Sequence, residues 1–486
     1  VGVCFATSGP GATNLVTGIA TAYMDSVPVV AITCNYATSG LGRDSFQEVD
    51  ICGITMPITK HNFQVENVEK LADTIRRAFF IAQSGRKGPV LIDIPKDITS
   101  AECEYTPMPK VKPEKAKAPK DSAVKRAVEL IRNAKKPLIY VGGGAILSDV
   151  GEDLVTFAEK IDTPVASSLM GLGAFPHDNP LHLGLIGMHG HYECNKAAHD
   201  CDVLITCGAR FSDRVAGNRK KFAPNAEILH IDIDSAEMDK NIVSNYHLRG
   251  DLADVLPILT REIEQLDHSE WRKEIETFRR PFEQLQIGDY VNPQKLIEKI
   301  DDVTDDDTII VTDVGQHQMW ATQYLELDSN SQLLTSGGLG TMGFGLPAAI
   351  GAKIANPDKD VVCISGDGGL QMNIQELATS VVQGAGVTIC VLNNYYLGMV
   401  RQMQQLFYGK RYSATCLRRR KGCPDECKGP NEACPPYTPD FLKLVESYGG
   451  HGIRVDKEED IDAAFAEAKK YKDVPVIIEF MIATDE

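Results

Sequence analysis

Short apolar runs recur along the chain, and each is followed by a polar or glycine-rich turn and then by a stretch with helical periodicity. The clearest runs are Val29–Thr33 and Pro89–Ile94, then PLIYV, VLITC and EILHID in the middle, and TIIVT, VVCIS and TICVL towards the end. Strands that are apolar on both faces and alternate with helices are typical of parallel sheets with helical crossovers. The pattern predicts an α/β fold with ligands at the carboxyl ends of the strands.

Composition divides this pattern into three blocks. Residues 106–120 are rich in Pro and Lys and offer little to bury, so they indicate an extended linker. Around it we predict three doubly wound α/β domains with parallel sheets, at residues 1–105, 121–275 and 285–486. A charged stretch from His268 to Gln286 is predicted to be helical and to lead into the third domain.

The overall composition narrows the choice of partners. The net charge of −17 argues against nucleic acid or an anionic membrane as a partner, because phosphate groups select for Lys and Arg. No apolar run approaches the roughly 20 residues that a membrane-spanning helix needs. The odd number of cysteines, 13, and their positions in apolar strands, such as Cys207 and Cys363, indicate thiols in a reducing cytoplasm rather than a disulfide framework.

The strongest chemical signal lies after two neighbouring strands of the third block. Gly366-Asp367-Gly368 follows VVCIS, and Asn393-Asn394 ends the next strand. The chain between them is long enough for one helix and one returning strand, so both turns should lie at the same edge of the sheet. There a carboxylate and an amide oxygen can share one Mg²⁺, which takes oxygen ligands and is usually completed by phosphate. The glycines allow close approach of the backbone to that phosphate.

This pair of turns resembles the thiamine-diphosphate signature, and the surrounding sequence resembles the acetohydroxyacid (acetolactate) synthases along almost the whole chain. The resemblance implies an enzyme that decarboxylates pyruvate on thiamine diphosphate and condenses the hydroxyethyl unit with a second 2-keto acid, pyruvate or 2-ketobutyrate, in branched-chain amino acid biosynthesis. It implies Mg²⁺ and FAD as further cofactors. It also implies a homodimer or homotetramer, with a small regulatory subunit as a further partner.

The same resemblance assigns residues to the thiamine site. Asp367, Asn394 and the backbone carbonyl of Tyr396 are expected to bind Mg²⁺. Met342 is expected to hold the cofactor in its bent form, next to the aminopyrimidine ring. The other cofactor contacts that the resemblance implies are Val314, Gly315, Gln316, His317, Gly340, Gly366, Gly368, Gly369, Leu397, Gly398 and Met399. The family usually has Ser where Gly369 stands, so one hydroxyl donor is missing.

The middle block carries glycines and polar residues at strand ends, in GMHG, ARFSDRVAG and LHIDIDSAEMDKN. Each is a weak signal, and the glycines 142–144 do not have the spacing of the dinucleotide fingerprint. Together they resemble the FAD-containing members of the family, in which the flavin has no net redox role. The implied FAD contacts are Arg86, Gly143, Gly144, Ser168, Leu169, Met170, Gly187, Met188, His189, Gly208, Arg210, Asp213, Arg214, Asp232, Ile233 and Asp251. Ser212 stands where the family usually has Asp.

Three residues of the first block are implied near the reaction centre. Phe46 and Gln47 are expected to line it from the facing subunit, with a polar surface loop as the alternative. Lys96 is expected near the entrance. The family also uses a glutamate, expected upstream of Val1, and a segment after the final residues FMIATDE, so we expect that both lie outside the sequence given.

Two further residues are predicted to act on the second substrate. Arg214 is expected to hold the carboxylate of the second 2-keto acid, for which a guanidinium fork is suited; the alternative is a salt bridge to Asp213. Met403 stands where most family members have Trp, and a thioether lacks the flat aromatic face. This predicts a reduced preference for 2-ketobutyrate over pyruvate and tolerance of sulfonylurea-type herbicides.

After YSAT the sequence departs from the family, with a cysteine-rich insert at residues 416–434. Its four cysteines could bind Zn²⁺ or an iron–sulfur cluster, and the alternative is thiols in a surface loop. These cysteines are Cys416, Cys423, Cys427 and Cys434. Two rival functions stay open at this point. One is another thiamine enzyme, such as a catabolic acetolactate synthase, glyoxylate carboligase or pyruvate oxidase, and the other is a non-catalytic cofactor-binding homologue.

Overall fold

The computed structural model contains three sheets, each made of parallel strands with helices between them. This confirms the predicted fold class of three α/β domains. The structure describes residues 1–280, 290–327, 332–418, 423, 434 and 438–483.

The first sheet lies within residues 1–105. Its strands are β1 (Gly2–Ala6), β2 (Val29–Asn35), β3 (His61–Gln64) and β4 (Val90–Pro95). Its α-helices are α1 (Pro10–Asn14), α2 (Val16–Met24), α3 (Ile51–Thr55), α4 (Leu71–Gln83) and α5 (Lys96–Ser100), with 3-10 helices at Thr38–Gly40, Met56–Ile58 and Val68–Lys70. The strand order is β1-β2-β4-β3. Residues 101–120, which contain the predicted linker, form neither helix nor strand.

The second sheet has six strands. These are β5 (Pro137–Val141), β6 (Val165–Ser167), β7 (His182–Leu185), β8 (Val203–Cys207), β9 (Glu227–Asp232) and β10 (Tyr246–Arg249). The helices are α6 (Asp121–Asn133), α7 (Gly143–Ser148), α8 (Gly151–Lys160), α9 (Tyr192–Asp200), α10 (Leu252–Glu262) and α11 (Ser269–Glu276), with a 3-10 helix at Leu169–Gly171. The strand order is β10-β9-β8-β5-β6-β7. Helix α11 covers only the first part of the predicted charged helix, because it ends at Glu276 and residues 277–280 are not helical. Residues 281–286 of that prediction lie outside the described residues.

The third sheet also has six strands. These are β11 (Ile309–Thr312), β12 (Gln332–Leu334), β13 (Val361–Gly366), β14 (Thr388–Asn393), β15 (His451–Val455) and β16 (Val476–Met481). The helices are α12 (Pro293–Val303), α13 (Gln316–Tyr324), α14 (Gly345–Ala355), α15 (Asp367–Leu370), α16 (Leu377–Gln383), α17 (Gly398–Phe407), α18 (Phe441–Ser447) and α19 (Ile461–Ala468), with 3-10 helices at Gln371–Glu376 and Glu458–Asp460. The strand order is β12-β11-β13-β14-β16-β15.

Successive residues of the central strands are buried on opposite faces of the third sheet. Cys363 and Ile389 belong to the hydrophobic cluster on one face, whereas Val362, Ile364 and Cys390 belong to the cluster on the other. Because helices cover both faces, apolar residues are favoured at most positions of these strands, which explains the apolar runs in the sequence. The buried polar residues Asn393 and Glu479 are exceptions, and they are hydrogen-bonded to each other.

The register of the third sheet brings two strand ends together. β13 and β14 are parallel neighbours in which Gly366 is opposite Leu392. The residues that follow, Asp367 and Asn394, therefore emerge at the same edge, as the spacing predicts. In the part of the chain that the structure describes, no helix is long and apolar enough to cross a membrane.

Close backbone packing in the second sheet predicts a stability difference between two glycines. A Cβ at Gly144 would lie 2.7 Å from Gly208 Cα, whereas a Cβ at Gly351, inside α14, would meet no atom within 4 Å. Gly144→Ala should lower the free energy of unfolding by about 2 kcal/mol, because backbone must shift. Gly351→Ala should raise it by about 0.5–1 kcal/mol, because alanine favours the helix.

Chemical denaturation followed by circular dichroism measures both variants against the parent. Equal stability of the Gly144→Ala variant and the parent would contradict the close packing of these two loops.

Candidate cofactor and metal site

A cleft of about 460 Å³, open to solvent, lies at the carboxyl ends of β11, β13 and β14. Its wall is lined by Val314, Gly315, Gln316, His317, Trp320, Met342, Gly366, Asp367, Gly368, Gly369, Leu392, Asn394, Tyr396, Leu397, Gly398, Met399, Val400 and Ile482. The structure thus brings together almost all the residues predicted for the thiamine site. The sequence analysis missed Trp320, Leu392, Val400 and Ile482, which are apolar or aromatic residues without a motif of their own.

One wall of the cleft is the start of helix α13. The helix begins at Gln316, directly after Gly315, and this N-cap residue makes no side-chain hydrogen bond to the first turn. Such a helix end attracts phosphate through its exposed N–H groups and its dipole. His317 is buried in the first turn, and this burial lowers its pKa to about 4, so the imidazole is neutral at physiological pH. This wall can therefore bind a diphosphate.

The cleft wall also contains a buried carboxylate. Asp367 is 2% exposed, and its Oδ1 accepts a hydrogen bond from the Gly368 N–H at 2.9 Å. Its Oδ2 is buried and has no hydrogen-bond partner among the described residues. Burial raises the pKa of this carboxyl to about 7. A buried carboxylate oxygen without a partner is costly unless a cation compensates it.

The oxygens around Asp367 suit a magnesium ion. Asn394 also lines the cleft, and its Oδ1 accepts the Tyr396 N–H at 3.0 Å, which leaves a second lone pair on that oxygen. The described residues contain no group of three His, Cys, Asp or Glu that could hold a metal ion. A cation here would therefore need amide, carbonyl and phosphate oxygens besides the one carboxylate, which is the preference of Mg²⁺.

The loop that carries these oxygens contains a strained residue. Tyr395 has a φ of +63°, a left-handed conformation that costs an ordinary side chain about 1–2 kcal/mol. Its N–H donates to Asn393 Oδ1 at 3.0 Å, and Asn393 Nδ2 donates to the buried Glu479 at 2.6 Å. Glu479 is held in turn by Arg454 Nη2 at 2.7 Å. A hydrogen-bonded network of Asn393, Glu479 and Arg454 thus supports the strained turn.

Asp313, which the sequence analysis did not single out, fixes the turn that carries Met342. Its carboxylate is 1% exposed and accepts the N–H groups of Val314 at 2.8 Å, Gly343 at 2.9 Å and Gly345 at 2.9 Å. One side chain therefore joins the diphosphate wall to the Met342 turn. The signal was present in the sequence as an acidic residue directly after an apolar strand.

The same carboxylate explains the glycine at position 369. A Cβ on Gly369 would lie 2.5 Å from Asp313 Oδ1, so a serine here would require Asp313 to move. Gly340, also predicted as a cofactor contact, lies in the turn with Met342 and has a φ of +69°, which favours glycine. It is not part of the cleft wall.

The predicted first-block residues lie outside the cleft. Phe46 is 84% exposed, and Gln47 has a φ of +60° and packs against Gly9. Lys96 is exposed at the start of α5. The expected roles of Phe46 and Gln47 at a facing subunit, and of Lys96 near the entrance, stay predictions. Met403 is half-buried on α17, one turn after Met399 in the cleft wall, so its side chain lies on the same side of that helix.

A second group of loops meets at the carboxyl edge of the central sheet. The Gly144 N–H donates to the Gly208 carbonyl at 3.0 Å, and a Cβ on Gly143 would come within 3.1 Å of Met170. The predicted FAD contacts follow these strands: Gly143 and Gly144 after β5, Ser168, Leu169 and Met170 after β6, Gly187, Met188 and His189 after β7, Gly208 and Arg210 after β8, Asp232 and Ile233 at the end of β9, and Asp251 after β10. These residues thus lie at the carboxyl ends of the strands, where open α/β sheets bind their ligands.

Acidic residues at this edge already have partners. Asp232 Oδ1 accepts the Asp234 N–H at 2.8 Å, and burial raises the Asp232 pKa to about 6. Asp251 caps α10 by accepting the Ala253 N–H at 3.2 Å. Besides any cofactor contact, these two residues therefore stabilise the local backbone.

The predicted cationic contacts are paired within the chain. Arg86 Nη1 lies 2.6 Å from Glu237 Oε1 and so links the first block to the central sheet. Arg214 Nη1 lies 3.3 Å from Asp213 Oδ2, and both side chains are largely exposed. The salt bridge between Arg214 and Asp213, which was the alternative interpretation of Arg214, is therefore present. Contact between Arg214 and a substrate carboxylate stays a prediction.

The cysteine-rich insert is described only in part. Cys416 is half-buried and forms an isolated antiparallel bridge with Tyr396, whereas Cys427 lies outside the described residues. A metal or iron–sulfur site at the four cysteines stays a prediction.

Comparisons with known families cover most of the chain. Residues 1–54 match the N-terminal TPP binding domain of thiamine pyrophosphate enzymes, residues 124–259 their central domain, and residues 313–480 their C-terminal TPP binding domain. Thiamine pyrophosphate is another name for thiamine diphosphate, so the third match covers the cleft described above.

The chain is also similar to known acetolactate synthases along its length. It is 45% identical to the acetolactate synthase large subunit of Corynebacterium glutamicum, over 100% of this chain and 77% of the relative. It is 43% identical to the probable acetolactate synthase large subunit of Methanococcus aeolicus, over 99% of this chain and 82% of the relative. It is 39% identical to the acetolactate synthase large subunit of Haemophilus influenzae, over 100% of this chain and 84% of the relative. These matches confirm the predicted family: the chain belongs to the acetolactate synthase large subunits, within the thiamine pyrophosphate enzymes.

Proposed function

We propose that this protein is the catalytic subunit of an acetolactate synthase that uses thiamine diphosphate, Mg²⁺ and FAD. It joins the two-carbon unit of pyruvate, after loss of CO₂, to a second 2-keto acid, pyruvate or 2-ketobutyrate, on the route to branched-chain amino acids. The observation that carries the proposal is the cleft that combines the start of helix α13, Met342 and a buried Asp367 oxygen that has no hydrogen-bond partner among the described residues.

Each wall of the cleft has a separate task. Bound thiamine diphosphate supplies a stabilised carbanion, which is chemistry that no side chain provides. The first turn of α13 and the Gly368 backbone hold the diphosphate. Asp367, Asn394 and the Tyr396 carbonyl hold Mg²⁺ against it. Met342 supports the bent cofactor, and Asp313 keeps the Met342 turn in place.

The neutral state of His317 suits this arrangement. A neutral imidazole donates a hydrogen bond without adding a second cation next to Mg²⁺. The low pKa that burial imposes on His317 preserves this state at all pH values near neutrality.

The central edge is proposed to bind FAD, with no net redox role in the reaction. The position of the predicted contacts at the carboxyl ends of strands β5 to β10 supports this proposal, because ligands of open α/β sheets bind there. Arg86 would link the flavin site to the first domain, because it already contacts Glu237 across that boundary.

The second substrate and the partner subunits complete the proposal. Arg214 would release Asp213 and bind the carboxylate of the second 2-keto acid instead. The solvent exposure of both side chains permits this change of partner. Phe46 and Gln47 would act on the cleft of a facing subunit in a homodimer or homotetramer, since both lie outside the cleft of their own chain. Lys96 would lie near the entrance of the active site. A small regulatory subunit is a further proposed partner.

Cofactor dependence tests the proposed function. The protein made from its complete coding sequence, stripped of cofactors, should form acetolactate from pyruvate only when thiamine diphosphate, Mg²⁺ and FAD are all restored. We expect this because the cleft is proposed to bind thiamine diphosphate and Mg²⁺, and the carboxyl edge of the central sheet is proposed to bind FAD. Acetolactate is measured as acetoin after acid decarboxylation.

The other outcomes separate the rival functions. Activity that is indifferent to FAD would indicate the catabolic type of acetolactate synthase. Cofactor binding without any carboligation product would favour a non-catalytic homologue, and a different product would indicate another thiamine carboligase.

A single substitution tests the predicted acceptor preference. Met403→Trp should raise the preference for 2-ketobutyrate over pyruvate by about tenfold, because an aromatic face adds contact with the larger acceptor. It should also increase inhibition by sulfonylureas. The measurement is the ratio of 2-aceto-2-hydroxybutyrate to acetolactate when the two acceptors compete.

Met403→Leu serves as the matched control and should leave the ratio unchanged. A parent protein that already selects 2-ketobutyrate strongly would contradict this role of Met403.

A further inference from the structure

The start of the cysteine-rich insert pairs with the loop that carries the proposed magnesium ligands. We call residues 394–397 the metal loop and residues 415–418 the anchor. Tyr396 and Cys416 form an antiparallel bridge between them. The sequence of the insert departs from the family, so the role of this contact does not follow from the resemblance.

Two backbone hydrogen bonds flank that bridge. The Leu397 N–H donates to the Thr415 carbonyl, and the Leu417 N–H donates to the Tyr395 carbonyl, each at 2.9 Å. The second bond fixes the carbonyl of the strained residue. The anchor therefore acts on the metal loop as a short antiparallel strand.

The last residue of the anchor contacts the strained residue directly. The guanidinium carbon of Arg418 lies 4.3 Å from the centroid of the Tyr395 ring, which is a cation–π distance. Arg418 is half-buried, so the stacked pair is partly shielded from water. Tyr395 is thus held by two contacts: its N–H donates a hydrogen bond to the Asn393 side chain, and its ring contacts the Arg418 guanidinium.

We propose that Arg418 is a positioning residue for the metal site. By stacking on Tyr395 it maintains the left-handed turn that presents the Asn394 side chain and the Tyr396 carbonyl to the cation. Without Arg418, the Tyr395 backbone relaxes toward an ordinary conformation. The Asn394 side-chain oxygen and the Tyr396 carbonyl oxygen then move away from the positions at which they could bind one cation together with Asp367. This inference rests on the proposed function, because it requires Mg²⁺ and thiamine diphosphate in the cleft.

The test measures Mg²⁺ affinity by fluorescence. The chain has two tryptophans; Trp320 lines the cleft, whereas Trp271 is buried in the central domain, so binding of cofactor should change mainly the Trp320 signal. Full-length protein with saturating thiamine diphosphate is titrated with Mg²⁺. Arg418→Ala should raise the Mg²⁺ concentration for half-maximal change by about fivefold. The amplitude at saturation should equal that of the parent.

Two comparison variants make the result specific. Arg411→Ala removes an exposed arginine just before the anchor and should titrate like the parent. Arg418→Lys keeps the cation but loses the flat guanidinium, so its Mg²⁺ affinity should lie between that of Arg418→Ala and that of the parent. The thermal unfolding midpoint of each variant shows whether loss of the fold contributes to a lower Mg²⁺ affinity.

A double mutant tests the strain itself. Glycine adopts a left-handed conformation without a Cβ penalty, so in a Tyr395→Gly protein the turn no longer needs support. Arg418→Ala should then add no further loss, which is the non-additivity expected of a direct contact.

The outcomes separate this inference from the proposed function. If the parent itself shows no Mg²⁺-dependent change, the proposed function fails and this inference fails with it. If the parent responds but Arg418→Ala titrates identically, or loses the same affinity in both backgrounds, only the positioning role of Arg418 is overturned.

Discussion

Two buried carboxylates at one edge of the third sheet determine the site. Asp313 has its charge compensated by backbone N–H groups from two separate turns, so it joins those turns rigidly. Asp367 keeps one buried oxygen without a partner among the described residues. Burying a charge without a partner is expensive, so this oxygen suits the proposed cation. The contrast between the two agrees with a structural role for Asp313 and with the proposed ligand role for Asp367.

The parallel sheet is what brings these groups together. The carboxyl ends of parallel strands all reach one edge of the sheet, and ligand-binding residues of such folds follow these ends. The same rule acts in the central domain, where glycine loops converge at the ends of β5 and β8. Both proposed cofactor sites therefore follow from one topological constraint, and Arg86 connects one of them to the first domain.

Much of this could be predicted from the sequence, because it depends on local patterns. The apolar runs predicted the strands, and the spacing of Asp367 and Asn394 placed both at one edge. Asp313 was missed because its importance lies in contacts with Gly343 and Gly345, thirty residues away or more along the chain. The support of Tyr395 was also beyond prediction, since a left-handed φ and a stacked Arg418 have no sequence signature.

We propose that the edge between Asp367 and α13 binds a metal–diphosphate complex. A crystal structure with thiamine diphosphate and Mn²⁺, an anomalous-scattering substitute for Mg²⁺, tests this directly. We expect Mn²⁺ at about 2.1 Å from Asp367 Oδ2, with Asn394 Oδ1 and the Tyr396 carbonyl as further ligands and the diphosphate against the start of α13. A metal bound elsewhere, or a diphosphate in the central domain, would contradict it.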